Sequence, residues 1–223
     1  MIMPRNIIKF CNCIICLAAL LMSAQSSLAF DVTPANIPKT KITALEADLQ
    51  KNDKRTSSVR KRRACKTVVR DAEHLLESYT NAPNRYRVLG VMLQAQKLLL
   101  SLESSDRNRD ALFEICERLL KAPDDYADLR LEADMLLSER DLSAKNADVK
   151  ARTQALAELI ARYRHTPGEM KSLMMASLIA PKLEAFDLEK EIFRAMDGRF
   201  AGNYDLIEWR RKTHGYAHER VLF

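Results

Sequence analysis

The sequence predicts an all-α fold in which about four helix pairs are stacked one after another. The first observation is compositional, because 5 glycines and 7 prolines in 223 residues are too few for the many turns of a β sandwich or barrel. The second is that Leu, Ala, Glu, Lys and Arg, which are strong helix formers, dominate the middle of the chain. The third is a recurring pattern that ends in a proline. A content of 47% apolar and 30% charged residues is typical of a globular protein.

The first 29 residues have the composition of a secretory signal peptide. Arg5 and Lys9 lie in a start without acidic residues, residues 10–22 are almost wholly apolar, and small residues stand at positions 27 and 29. We therefore expect cleavage after Ala29 and export of the remaining chain to the periplasm or cell envelope. The alternative is an uncleaved N-terminal membrane anchor, although the apolar stretch is shorter than the roughly 20 residues of a spanning helix.

Export changes which cysteines the protein keeps. Cys11, Cys13 and Cys16 leave with the signal peptide, so the Cys-x-x-Cys pattern among them is interpreted as apolar filling rather than as a redox pair. Cys65 and Cys116 remain, and both fall on apolar helix stripes. In stacked helices they would lie about 16 Å apart along the axis, beyond the ~7 Å that a disulfide allows. We expect two separate buried thiols, with a structural or intermolecular disulfide as the alternative.

Three segments follow the signal peptide. Residues 30–56 contain two prolines in a polar setting and predict a flexible lead that includes a short helix. The apolar residues that predict this helix are Ile42, Leu45 and Leu49. Residues 57–214 carry the helical repeats, and residues 215–223 form a tail. The apolar end of the tail is typical of a truncated product, a fragment or a stand-alone helical relative.

Three copies of the repeat align on a proline, at residues 76–83, 116–123 and 160–167. In each copy a large side chain precedes the proline by four positions and an apolar one precedes it by seven. The prolines are 40 and 44 residues apart. A fourth copy at residues 196–204 lacks the proline. Each copy predicts a helix, a short turn and a second helix.

The prolines also predict where the second helix of each pair begins. Proline is favoured at the first helical position, where its missing N–H costs nothing. The residues expected at this position are Pro83, Pro123 and Pro167. Thr166 and Glu169 have the spacing of a capping box, in which the threonine caps the helix and the glutamate reaches back. The first helix of the first pair is expected over about residues 59–79.

The repeats resemble tetratricopeptide-type repeats, since each ends in Ala-Pro or Thr-Pro with Tyr or Leu four positions before the proline. The resemblance implies an α-solenoid, a superhelical stack of helix pairs with a concave face for partners. The spacing is longer than the usual 34 residues and the Trp/Leu-Gly-Tyr signature is absent. We therefore describe the repeats as TPR-like.

A narrower resemblance covers about residues 127–205. It rests on four runs, namely Leu136–Leu142, Leu159–Glu169, Ala176–Ala180 and Arg199–Gly202. They are similar to the helical region that precedes a thioredoxin-like domain in bacterial exported thiol–disulfide oxidoreductases. The sheet with Trp-Cys-x-x-Cys that carries the redox chemistry of such proteins is absent from this sequence, so the resemblance assigns no redox residue.

A basic segment is the strongest candidate for a binding surface. Residues 51–70 contain nine basic side chains and a single acidic one. The candidate anionic-surface patch within it comprises Arg60, Lys61, Arg62, Arg63, Lys66 and Arg70. Such a positive field suits anionic lipid headgroups or acidic envelope polymers, or it is a solvated helix face paired with acids elsewhere. Nucleic acid is disfavoured by export and by the lack of interleaved aromatic residues.

No motif predicts catalysis, a cofactor or a metal ion. His214 and His218 are four positions apart, but Gly215 weakens a helix there and no third ligand is placed by the sequence. The acidic pairs that we place at helix N-termini or on polar faces are Asp124 with Asp125 and Glu132 with Asp134. We therefore expect no catalytic, cofactor-binding or metal-binding residues.

The function that follows is a non-enzymatic interaction or scaffold module of the bacterial cell envelope, with a protein or peptide partner on the concave face. The alternative, implied by the narrower resemblance, is an accessory helical domain of a thioredoxin-like oxidoreductase whose catalytic domain is missing from this chain.

Overall fold

A computed structural model of the chain describes residues 35–50 and 57–213. Their regular structure is entirely helical, with nine α-helices, two short 3₁₀ turns and no strand among them. This confirms the all-α prediction. The signal peptide, the tail and the His214–His218 pair fall outside the described residues.

The structure describes nine helices, of which the last eight follow one another through short turns. They are α1 (Lys39–Gln50), α2 (Ser58–Ser78), α3 (Arg85–Leu102), α4 (Asp106–Leu119), α5 (Ala127–Ala144), α6 (Val149–Tyr163), α7 (Glu169–Ile179), α8 (Phe186–Phe200) and α9 (Tyr204–Thr213). The 3₁₀ turns are Asp124–Tyr126 and Ala180–Leu183. From α1 to α8 each helix packs on the next. Because the turns between α2 and α8 are short and each of these helices packs on the next, consecutive helices there run antiparallel.

The short helix expected in the lead is α1, which packs on α2 and α3. Ile37 and Ile42 are fully buried on that side. The Asn84 side chain, in the turn between α2 and α3, accepts a hydrogen bond from the Ile37 N–H and donates one to the Ile37 carbonyl, both at 2.9 Å. These two bonds satisfy the backbone just before α1 and fasten it to the first helix pair.

Side-chain caps mark the starts of α2, α4 and α6. Ser57 caps α2, Ser105 caps α4 and Asp148 caps α6, each through a side-chain oxygen that accepts a hydrogen bond from the N–H three residues later. These are the three helices that the sequence predicts as the first members of successive pairs. Each of them thus begins at a short polar residue.

The buried apolar side chains form two large clusters and a small one between them. The first cluster spans α1 to α5, and its fully buried members include Ile42, Val68, Leu89, Leu93 and Leu119. The second spans α6 to α9, and its buried members include Leu156, Leu173, Ile192, Met196 and Leu206. The small cluster consists of Leu131, Leu159 and Tyr163 with Met135 beside them. The seam between the two large clusters therefore lies at the α5–α6 junction, where the helices touch less extensively than α4 and α5 do.

The prolines precede the second helices instead of starting them, which corrects the sequence prediction. Pro83 and Pro167 each occupy the second position of a four-residue turn, because the Arg85 N–H bonds to the Ala82 carbonyl and the Glu169 N–H to that of Thr166. Pro123 similarly precedes the 3₁₀ turn Asp124–Tyr126. The fixed φ of proline suits the second position of a turn as well as the first turn of a helix.

The capping box predicted at Thr166 and Glu169 is wrong. The Thr166 hydroxyl instead donates to the Tyr163 carbonyl at 2.6 Å. A Glu169 carboxylate oxygen accepts from the backbone N–H of His165, which has a positive φ of 63°. The backbone at His165 reverses sharply, so the two side chains stabilise the α6–α7 turn rather than the first turn of α7.

Candidate binding surfaces

The six residues of the predicted basic patch all lie on α2, between its third and its thirteenth residue. The buried stripe of this helix consists of Cys65, Val68, Ala72 and Leu76, and the last three belong to the first cluster. The patch residues occupy the remaining sides, where Arg60 and Arg63 are exposed and Lys61 and Arg62 are half-buried. Helical periodicity therefore sends these charges away from the core and towards solvent.

Neighbouring acids neutralise only part of the patch. Glu103 at the end of α3 forms ion pairs with both Lys66, at 3.3 Å, and Arg62, at 3.8 Å. Arg70 pairs with its neighbour Asp71 at 3.1 Å. Within residues 35–50 and 57–213, no ion pair involves the three remaining patch residues, Arg60, Lys61 and Arg63. The start of α2 therefore keeps an excess of positive charge.

Helix α4 adds further positive charge at the same level. Arg118 on α4 pairs with Glu73 on α2 at 2.9 Å. These two helices run in the same direction, and the pair shows that residues 45 positions apart in the sequence lie side by side on them. By this register Arg107 lies level with Arg62. Arg107 is exposed at the start of α4 and has no ion pair to another described residue. The positive surface thus extends from α2 onto α4.

An apolar groove that the sequence did not predict opens at the seam between the two large clusters. It has a volume of about 330 Å³ and lies between α5, α6 and the end of α7. Its apolar walls are Met135, Leu136, Leu142, Ala155, Leu156, Leu159, Ile179 and Leu183. Leu136 lies at the edge of the first cluster and Leu156 belongs to the second. The groove is therefore a gap between the side chains of the two large clusters.

A second hollow continues the apolar surface on the other side of α5. It measures about 260 Å³ and is bounded by α3, α5 and α7. Met135 and Leu136 line both hollows. Met175 also lines the second and is 36% exposed. Flexible Met side chains can adapt to differently shaped apolar groups, which suits a binding surface.

The charges around both hollows are paired with one another. Arg152 contacts Glu139 at 3.0 Å beside the groove, and Lys97 contacts Glu132 at 2.5 Å beside the second hollow. A hydrogen bond from the Ser143 hydroxyl, followed by those from Arg152, lowers the pKa of Glu139. Glu139 therefore stays ionised, and the rim offers little unbalanced charge to a ligand.

The two thiols are buried and unbonded, as the sequence predicted. Cys65 and Cys116 have no exposed surface, and neither forms a disulfide. Burial raises the pKa of Cys65, and burial followed by the nearby Glu132 carboxylate raises the pKa of Cys116 to about 11. A thiol with a raised pKa is a poor nucleophile at neutral pH, so both behave as core residues.

The acidic pairs are not alike in the structure. Asp124 and Asp125 lie in the first turn of a short helix, as expected. Asp134, expected at a helix terminus or on a polar face, is instead only 5% exposed and bonded to Arg162. The described part of the chain contains no group of three or more side chains placed to hold a metal ion. It also contains no helix long and apolar enough to cross a membrane.

Small side chains on α6 are the sequence signal that could have indicated the groove. Ala155 lines the groove and lies one turn after Ala151 on the same helix. A larger side chain at position 155 would fill the space towards Leu183. Comparison with known proteins adds no further assignment, because the chain matches no protein-family model, no curated protein and no solved structure.

Proposed function

We propose that the protein is a non-enzymatic interaction module of the bacterial cell envelope, which binds an apolar helix of a partner protein in the groove between α5, α6 and α7. The groove itself carries this proposal, because apolar side chains line an open surface instead of being covered. The signal-peptide composition of the first 29 residues supports the location.

The arrangement of helices supports a TPR-like stack. A proline lies in each of the turns that join α2 to α3, α4 to α5 and α6 to α7. Each of these pairs begins at a side-chain cap. Stacked pairs of this kind bury a continuous core and leave extended faces for partners. The incomplete closure between the second and third pairs provides a binding surface on such a face.

The chemistry of the groove favours an apolar helix over a charged peptide. Its volume of about 330 Å³ is at the lower end of the range of ligand pockets and has room for a few apolar side chains. Because Glu139 is already paired with Arg152, an added charge would find no free partner on this rim. An amphipathic helix that presents apolar residues at positions i, i+3 and i+4 matches a groove between helices.

A panel of labelled helical peptides tests the proposal by fluorescence anisotropy. The peptides carry Leu at i, i+3, i+4 and i+7 with varied flanking residues, and scrambled sequences of the same composition are the reference. We expect at least one helical peptide to bind with a roughly micromolar dissociation constant and its scrambled form to bind at least about tenfold more weakly.

Substitution of Ala155 tests whether the peptide binds in the groove. Ala155→Met should fill the groove without adding charge and weaken peptide binding at least about tenfold. Ala151→Met, one turn earlier on an exposed position of the same helix, is the matched control and should leave binding unchanged. Equal affinities for helical and scrambled peptides would contradict the proposal, and so would unchanged binding by Ala155→Met.

Two other occupants have distinct signatures. Self-association through the groove would appear in light scattering as a dimer that Ala155→Met dissociates. Occupation by a lipid would appear as displacement of a fluorescent fatty acid by unlabelled lipid, without peptide binding. Either result would overturn the proposal of a partner protein.

A further inference from the structure

The basic residues of α2 and α4 form one charged surface, which we call the basic end. It comprises seven basic side chains, namely Arg60, Lys61, Arg62, Arg63, Lys66, Arg107 and Arg109. Three acidic side chains lie among them, namely Glu103, Asp106 and Asp110. The surface therefore carries an excess of four positive charges. That excess is two thirds of the formal net charge of +6 that belongs to the whole chain.

The basic end also exposes an apolar side chain. Val59 is 47% exposed, directly before the run of four basic residues that begins at Arg60. Residues 58–70 contain no aromatic side chain on which a base could stack. An exposed apolar group within a cationic surface is the combination with which peripheral proteins contact lipid, since the apolar group enters the interface and the cations meet the headgroups.

The basic residues at the start of α2 lie where a helix normally favours acidic side chains. The N-terminal end of a helix carries a partial positive charge and favours acidic side chains. Helix α4 follows this preference with Asp106 in its first turn, whereas α2 has no acid there and has Arg60 and Lys61 instead. Ser57 still caps α2, so the helix does begin at this point. A local conflict of this kind is characteristic of positions that serve a function other than stability.

We propose that the basic end docks the protein on the surface of an anionic lipid bilayer. Val59 enters the headgroup region, while Arg60, Lys61 and Arg63, which have no acidic partner among the described residues, contact lipid phosphates. Arg62 and Lys66 share one carboxylate, that of Glu103, and so add to the field. Docking does not depend on the groove or on its occupant.

Sedimentation with vesicles tests this proposal on the processed protein purified from an exporting host. Vesicles of 30% phosphatidylglycerol in phosphatidylcholine should bind the protein, and pure phosphatidylcholine should not. Because each basic side chain near the bilayer contributes about a fivefold factor, Arg60→Gln/Lys61→Gln/Arg62→Gln/Arg63→Gln should weaken binding at least about a hundredfold. Val59→Ser should weaken it about three- to tenfold.

A control of equal charge separates the patch from the net charge of the protein. Lys39→Gln/Lys41→Gln/Lys121→Gln/Arg164→Gln removes four exposed basic side chains near the opposite ends of the helices and should change binding by no more than about threefold. The helical circular dichroism of both quadruple variants should match that of the unchanged protein, because neither alters a buried residue. Any loss of binding then reflects the surface and not the fold.

Three results would overturn the proposal. The first is an unchanged protein that fails to bind the anionic vesicles. The second is an equal loss of binding in the two quadruple variants, which would assign the effect to net charge alone. The third is binding to a soluble acidic polysaccharide that is as tight as binding to vesicles and insensitive to Val59→Ser, which would identify a polymer and not a bilayer as the ligand.

Discussion

The partly buried ion pair between Asp134 and Arg162 allows a quantitative test of what joins α5 to α6 at the seam between the two large clusters. Asp134 lies on α5 and is 5% exposed, whereas Arg162 lies near the end of α6 with a side chain that is 55% exposed. The same guanidinium nitrogen lies 2.6 Å from both carboxylate oxygens. The pair therefore ties α5 to α6 beside the small cluster at the seam. We choose Arg162→Met, which keeps most of the apolar stem and removes the charge.

The expected loss of stability follows from the distance and the exposure. Two unit charges about 4 Å apart attract by about 4 kcal/mol at an effective dielectric constant of 20 and by about 1 kcal/mol in water. Because the arginine is half-exposed, the attraction is well below the first figure. Removing Arg162 also leaves the Asp134 carboxylate buried without its partner, which adds to the loss. We therefore expect Arg162→Met to lower the free energy of unfolding by about 1–3 kcal/mol.

Urea denaturation at pH 7, followed by helical circular dichroism, measures this loss. Arg164→Met is the matched control, because it removes an exposed arginine two residues away that has no ion pair to another described residue. The control should change stability by no more than about 0.5 kcal/mol. In the double variant Asp134→Leu/Arg162→Met, loss of the unpaired carboxylate should restore part of the stability. Equal effects of Arg162→Met and Arg164→Met would refute the assigned role, and so would a double variant less stable than Arg162→Met alone.

The remaining predictions concern the core and the lead. Cys65 and Cys116 should react with an aromatic disulfide reagent only after unfolding, because a pKa of about 11 leaves roughly one Cys116 thiol in a thousand ionised at pH 8. Leu173→Ala should cost about 2–5 kcal/mol in urea denaturation, because it empties a fully buried site in the second cluster. Asn84→Ala should remove both bonds to Ile37 and increase hydrogen exchange in α1 more than in α2, whereas equal changes in both helices would contradict a local role.

The helices were predictable because their apolar residues recur with the helical period. The first helix, expected over about residues 59–79, runs from Ser58 to Ser78. Of the seven apolar residues expected on its stripe, Cys65, Val68, Ala72 and Leu76 are buried and the other three are partly buried. The exact starts of the second helices were not predictable, because proline suits a turn and a first helical position equally well. Only the hydrogen bond across the turn at Pro83 distinguishes the two.

The groove depends on distances between helices, which a periodic pattern does not contain. Leu136 and Leu156 look like ordinary core residues in the sequence, and each does pack at the edge of a cluster. Ala155 creates space only because α5 and the end of α7 stand back from it. Asp134 was misplaced for the same reason, since its partner Arg162 lies 28 residues away on another helix. Contacts between residues far apart in the sequence thus create the groove, and they also explain why the burial of Asp134 was not predicted.

The ion pairs that set the helix register also relate the basic end to the groove. Lys66 on α2 contacts Glu103, which places the end of α3 level with the basic end. Lys97 on α3 contacts Glu132 on α5, two parallel helices offset by 35 residues, so Glu103 lies level with Ser138. Ser138 lines the groove. The groove and the basic end therefore lie at the same level along the helix axes. A protein docked on a bilayer through Arg60 and its neighbours would hold the groove near that surface, within reach of an amphipathic helix that itself lies at the membrane.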